Sequence, residues 1–101
     1  MYKLIAIDID GTLLNSNGEL TSRTVQTLHK VTQRGVKVVL TSGRVTGSVK
    51  QIAGLVHAEG YMICDNGASI YDITKAQTIW SREIPKSTVI NFIEMCEQNN
   101  I

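Results

Sequence analysis

Leu4-Ile5-Ala6-Ile7-Asp8-Ile9-Asp10-Gly11-Thr12 is the stretch that decides how this chain is read. An apolar run ends in two carboxylates two residues apart, with glycine and threonine directly behind them. Side chains alternate along a strand, so positions i and i+2 share a face. The pattern predicts a strand over residues 3–9 that delivers Asp8 and Asp10 on one side of its end. Like charges at that spacing repel, and each resists losing its water. Such a pair persists where a cation neutralises it or where its members have separate chemical tasks.

Working outward, Asn15, Ser16, Asn17 and Gly18 form a dense turn cluster, which predicts a short hairpin or flap beside the acids. Thr21 or Ser22 can cap a helix running to about Arg34, with Val25, Leu28 and Val31 as its apolar stripe. Gly35 is its expected stop. Val36 to Leu40 reads as a second strand, so strand, helix and strand make a βαβ unit with a right-handed crossover. A second helix over about 46–57 carries Val49, Ile52, Ala53 and Val56. Tyr61 to Cys64 is a third strand. A hairpin follows, from about 68–72 to 77–84, turning at Ile73-Thr74-Lys75-Ala76. Pro85 and Ser87 open a last amphipathic helix with Val89, Ile90, Phe92, Ile93 and Cys96. Strands that are apolar without alternation belong to parallel sheets covered on both faces. The expected architecture is α/β: a partial Rossmann-like core over residues 1–84, with a three-stranded parallel sheet, flanking helices and a β-hairpin.

With 101 residues, 43% apolar and 19% charged, the chain is one small globular domain with a modest core. A net charge of +1, with Lys and Arg scattered, gives no nucleic-acid or acidic-membrane surface. No apolar run approaches the ~18 residues that a membrane span needs. Asp8 and Asp10 interrupt the N-terminal apolar stretch too early for a secretory signal. Cys64 and Cys96 lack zinc-like spacing and read as buried, reduced thiols of a cytoplasmic protein. His29 and His57 read as solvent-facing or helix-end residues, and Trp80 as packing.

Each predicted parallel strand ends in small or polar residues: Asp8 to Thr12, Thr41 to Arg44, and Asp65 to Ala68. Open α/β sheets bind ligands at the carboxyl ends of their strands. These residues resemble the haloacid dehalogenase superfamily of phosphatases. The resemblance rests on Asp8-x-Asp10-Gly11-Thr12 after an apolar strand and on Ser42-Gly43-Arg44 after the next. Asn66-Gly67-Ala68 after the third is similar to the Cof-type branch, whose cap is inserted there. Residues 85–101 are the helix that this resemblance assigns to the start of the cap.

The resemblance implies that Asp8 is the nucleophile, forming an aspartyl-phosphate, and that Asp10 is the general acid and base. It implies Mg²⁺ at the Asp8 carboxylate and the Asp10 backbone carbonyl. Backbone N–H groups around Gly11 and Gly43, with the Ser42 hydroxyl, would hold the phosphoryl oxygens. Thr12, Arg44, Asn66 and Gly67 would line the site edge, and the substrate would be a small phosphorylated metabolite. An acid at position 10 points to phosphate-ester hydrolysis or a phosphomutase, because dehalogenase members lack it and related transport ATPases carry threonine there. A glycosyltransferase Asp-x-Asp is the competing metal motif. Asn66-Gly67 also reads as a plain type I′ turn, Asp65 as a turn residue and Arg44 as a surface charge.

The family pattern also asks for a later lysine and for a Gly-Asp pair followed by further acids. No Gly-Asp dipeptide occurs, and Lys50, Lys75 and Lys86 stand in other contexts. The chain is therefore expected to be the N-terminal part of a longer phosphatase, with little activity alone. A truncated fragment without function, or a non-catalytic phosphate- or Mg²⁺-binding module, is the alternative. The first strand's open edge is expected to invite self-association.

Overall fold

A computed structural model describes residues 1–101. The elements are β1 (Leu4–Asp8), α1 (Ser22–Gln33), β2 (Lys37–Thr41), α2 (Thr46–Leu55), β3 (Tyr61–Cys64), β4 (Ser69–Asp72), β5 (Gln77–Ser81) and α3 (Lys86–Gln98). They form one sheet in the order β1-β2-β3-β4-β5. The first three strands are parallel, with Asp8 opposite Thr41 and Thr41 opposite Ile63. The predicted hairpin is present and extends the same sheet antiparallel, with Cys64 opposite Ser69 and a register shift at Ile70 and Tyr71.

Local chemistry sets the element ends. The Thr21 side chain, not Ser22, accepts from the Thr24 N–H at 3.3 Å and starts α1. At its other end the Val36 N–H returns to the Val31 carbonyl and the Gly35 N–H to that of Thr32. That closure needs the left-handed backbone of Gly35 at φ 80. The Asn15 to Gly18 cluster is a single closed turn, with no strand pairing. The Asn15 Oδ1 accepts from the N–H groups of Asn17 and Glu19, a self-sufficient local loop.

Both crossovers step in one direction across the sheet, so α1 and α2 cover the same face. Leu28, Val49, Ile52, Ala53 and Val56 pack there against Val38, Leu40, Met62, Cys64 and Tyr71. Leu4, Ala6, Val39, Tyr61, Ile63, Ile70 and Ile79 form the opposite face, which no helix of this chain covers. This corrects the expectation of a sheet covered on both sides: an unalternating strand reports that both faces are apolar, not that both are covered. The β1 edge is unpaired, as the strand order places it outermost. No helix is long and apolar enough to cross a membrane.

The expected packing of Trp80 and burial of Cys96 are corrected. The α3 residues Val89, Ile90, Phe92 and Ile93 are exposed, because that helix stands away from the sheet. The radius of gyration is 16.9 Å, against about 13 Å for a compact chain of this size. Trp80 is 46% exposed on the outermost strand. Cys64 is buried, but Cys96 on α3 is only half-buried, and both thiols are free.

Candidate active site

The site edge begins where β1 ends, one residue earlier than predicted. Ile9 turns fully into the core. Asp10 (φ −75, ψ 123) and Gly11 (φ 80, ψ 0) then make a type II turn. A wider loop around this turn closes with the Leu14 N–H on the Ile9 carbonyl at 3.0 Å. Gly11 occupies the position whose positive φ costs other residues energy. The face-sharing argument from strand alternation therefore does not apply to Asp10. A turn and a tertiary partner set its direction instead.

That partner is Arg44. Its Nε donates to Asp10 Oδ2 at 2.8 Å and its Nη2 to Oδ1 at 2.6 Å, a two-point fork across 34 positions of chain. Arg44 Nη1 also donates to Ser48 Oγ at 3.2 Å. The fork holds the Asp10 carboxyl below its ordinary value, chiefly through the hydrogen bonds from Arg44. Asp8 at the end of β1 is exposed and makes no ion pair or side-chain hydrogen bond within the chain.

The loops after β2 and β3 are bonded to each other. The Ser42 N–H donates to the Ile63 carbonyl, the Asn66 N–H to that of Ser42, and the Asp65 N–H to that of Arg44. Ser42 is buried, and its Oγ accepts from the Arg44 N–H at 3.0 Å, which leaves the hydroxyl proton to donate. The Ser42 N–H is thus spent inside the fold. The Gly43 N–H has no partner in the chain. A Cβ on Gly43 would lie 2.8 Å from Asn66 Oδ1, so glycine is what lets these two loops meet. Asp65, Asn66 and Gly67 are all left-handed (φ 52, 55 and 90), as the turn reading of Asn66-Gly67 requires. The Asp65 carboxylate accepts from Ser69 Oγ and serves that turn.

Asp10, Ser42, Gly43, Arg44 and Asn66 therefore meet at one edge, joined by hydrogen bonds or direct contact. Asp8 stands beside them, opposite Thr41, while Thr12 is exposed in the turn and Gly67 only shapes its own loop. Ser48 was missed in the sequence. Its signal is the i, i+4 spacing from Arg44 into the first turn of α2. Lys50 lies elsewhere, 4.1 Å from the centre of the Tyr71 ring, beside a cleft of about 480 Å³ ahead of β3. His29 and His57 are exposed, with ring centres 5.5 Å apart. No group of three or more His, Cys, Asp or Glu side chains is placed to hold a metal.

These features define an open α/β sheet protein whose carboxyl edge carries an arginine-clamped acid beside a second, free one. The family model of haloacid dehalogenase-like hydrolases matches residues 5–101, and the chain belongs to that family. The resemblance read from Asp8–Thr12, Ser42–Arg44 and Asn66–Ala68 is borne out at the family level. The chain is similar to the HMP-PP phosphatase of Yersinia pestis (strain Pestoides F), 32% identical over 89 residues, covering 88% of this chain and 32% of that one. It is also similar to the 5-amino-6-(5-phospho-D-ribitylamino)uracil phosphatase YcsE of Bacillus subtilis (strain 168), 34% identical over 70 residues, 69% of this chain and 28% of that one. A crystal structure of a haloacid dehalogenase-like hydrolase from Bacteroides thetaiotaomicron superposes with a TM-score of 0.91 at 31% identity, covering 99% of this chain and 39% of that one. The chain spans 27% to 37% of the length of the first curated relatives it matches.

Proposed function

We propose that residues 1–101 carry the nucleophile-bearing part of an Mg²⁺-dependent phosphatase that acts on small phosphorylated metabolites. The observation that carries this reading is the meeting of Asp10, Ser42, Arg44 and Asn66 beside a free Asp8 at the carboxyl edge of a parallel sheet. The relatives' names, which include phosphatases of phosphorylated small molecules, support the substrate class.

In this reading the Asp8 carboxylate attacks phosphorus, and the bond to the leaving oxygen breaks as Asp10 gives that oxygen a proton. Water then attacks the aspartyl-phosphate, Asp10 takes the water's proton, and Asp8 is released. The grip of Arg44 keeps Asp10 ionised in the free site, the form that accepts a proton. The fork takes one lone pair of each Asp10 oxygen and leaves the other open, and the proton given to the leaving oxygen enters there with the substrate as a phosphate monoester monoanion. The Ser42 hydroxyl and the Gly43 N–H are the donors left for phosphoryl oxygens. Gly11 shapes the turn, while Thr12, Asn66 and Gly67 border the site.

Mg²⁺ fits the donor set. It prefers one or two carboxylates with waters and substrate oxygens to an all-protein cage. Asp8 offers an unengaged carboxylate, and the Asp10 backbone carbonyl would complete the chain's share. When bound, the ion would neutralise charge on the phosphoryl group.

Residues 1–84 are read as the core and 85–101 as the first helix of a cap, supported by α3 standing off the sheet after Pro85. A Cof-type cap at this point fits the same arrangement. A cytoplasmic location fits the two free thiols. In this reading the site also needs a lysine and further acids that residues 1–101 do not supply, so these residues alone have little turnover. Its unpaired β1 edge supports self-association. A truncated fragment without function, or a non-catalytic phosphate- or Mg²⁺-binding module, is the second reading, which the free Asp8 carboxylate would also serve.

Beryllofluoride, a mimic of an acyl phosphate, separates the two readings. A bound fluorine-NMR signal in the presence of Mg²⁺ is expected, and Asp8→Asn should abolish it. No bound signal favours the non-catalytic reading. Rapid Mg²⁺-dependent turnover of p-nitrophenyl phosphate by the 101-residue chain would refute the claim that its site is incomplete.

A further inference from the structure

The two acids of Asp8-x-Asp10 are treated differently by the rest of the chain. Both oxygens of Asp10 are taken by the Arg44 fork, at 2.8 and 2.6 Å. A fork of this kind fixes the carboxylate plane as well as its charge. Arg44 is itself anchored at three further points. Its Nη1 donates to Ser48 Oγ, its N–H donates to Ser42 Oγ, and its carbonyl accepts from the Asp65 N–H. These anchors come from α2 and from the loops after β2 and β3. Asp8 has no such partner.

That asymmetry has a chemical consequence. Hard divalent cations bind carboxylate oxygens readily. Two free carboxylates at one strand end would both be drawn to such an ion. A carboxylate bound to metal through its side chain is no longer available to carry a proton. We propose that Arg44 is a positioning residue that reserves the Asp10 side chain for proton transfer by keeping both its oxygens off the cation at Asp8. The inference rests on the Mg²⁺ and acid–base reading above. It is specific to a guanidinium, because lysine at position 44 would keep the charge and lose the two-point geometry.

Carboxyl-carbon NMR on the 101-residue chain, titrated with Mg²⁺, tests this directly. In the parent chain the Asp8 Cγ resonance should shift with Mg²⁺, while Asp10 Cγ and the Arg44 Nε–H move by only a small fraction of that shift. In Arg44→Lys and Arg44→Gln, Asp10 Cγ should shift together with Asp8. Asp10→Asn should move the Arg44 Nε–H to the position of a free guanidinium before Mg²⁺ is added. Overlay of the amide spectra outside the site shows that each variant is folded. A parent Asp10 Cγ that shifts as far as Asp8, or the same Mg²⁺ response in parent and Arg44 variants, overturns the proposal and leaves the cation reading standing. No shift at Asp8 at any Mg²⁺ concentration overturns the cation reading, and the inference falls with it.

Discussion

Gly43→Ala should change sign according to the residue at position 66. The new Cβ would stand 2.8 Å from Asn66 Oδ1 and 3.2 Å from its Cγ and Nδ2. Overpacking of this kind costs about 1–3 kcal/mol. The Asn66 side chain is exposed and can turn aside, so the lower end applies, about 1 kcal/mol. Gly43 does not have a positive φ, so alanine is compatible with its backbone. Where the backbone permits, Gly→Ala stabilises by about 0.4–1 kcal/mol by restricting the unfolded chain. In the parent the clash offsets that gain, and the variant is neutral to destabilised by roughly 0.6 kcal/mol. In an Asn66→Gly background the clash is gone. Glycine also accepts the φ of 55 found at position 66. There Gly43→Ala should stabilise by about 0.4–1 kcal/mol. Urea unfolding of the four proteins, followed by circular dichroism, gives the coupling between the two sites. Additivity within about 0.3 kcal/mol would refute the claim that the two loops meet through this contact.

The Asp10–Arg44 pair carries a pH signature. A carboxyl held below its ordinary value of 3.8 in the folded state stabilises the fold above that pH and loses the effect as the pH falls through the folded value. The parent should therefore exceed Asp10→Asn in urea midpoint at pH 7, with the gap closing in acid. A gap that widens on acidification would sink the assignment. The exposed α3 stripe and the bare sheet face should make the chain self-associate at micromolar concentration, read by size-exclusion chromatography with light scattering. Phe92→Ser with Ile93→Ser on α3 should shift the distribution towards monomer. A sharp monomer peak for the parent would count against both the open edge and the open face as contacts.

Much of the fold was legible because its signals are local. Apolar runs, the Thr21 cap, Gly35 and the Asn66-Gly67 turn each act within a few residues. They placed the helices and strands to within a residue or two, except β5, which was expected to run to 84 and ends at Ser81. The end of β1 was the exception that mattered. Ile9 reads as another strand residue, yet it is fully buried and passes the chain into a type II turn at Asp10 and Gly11. Whether an apolar residue continues a strand or drops into the core depends on the space beneath it, which a sequence window does not contain. The same holds for α3. Its stripe of Val89, Ile90, Phe92 and Ile93 predicts an apolar face but not what it rests on.

The sequence by itself determined that this is an α/β chain of the haloacid dehalogenase kind, with acids, serine, glycine and arginine at the ends of parallel strands. Strand period, turn chemistry and motif spacing suffice for that. Only the tertiary structure decided how those residues relate. It tied Arg44 to Asp10 across 34 positions and left Asp8 free. It spent the Ser42 N–H inside the fold and pressed Gly43 against Asn66. It also left one face of the sheet bare. Hydrogen bonds and contacts between distant segments depend on where the sheet brings strand ends together, and no local pattern in one sequence encodes that distance.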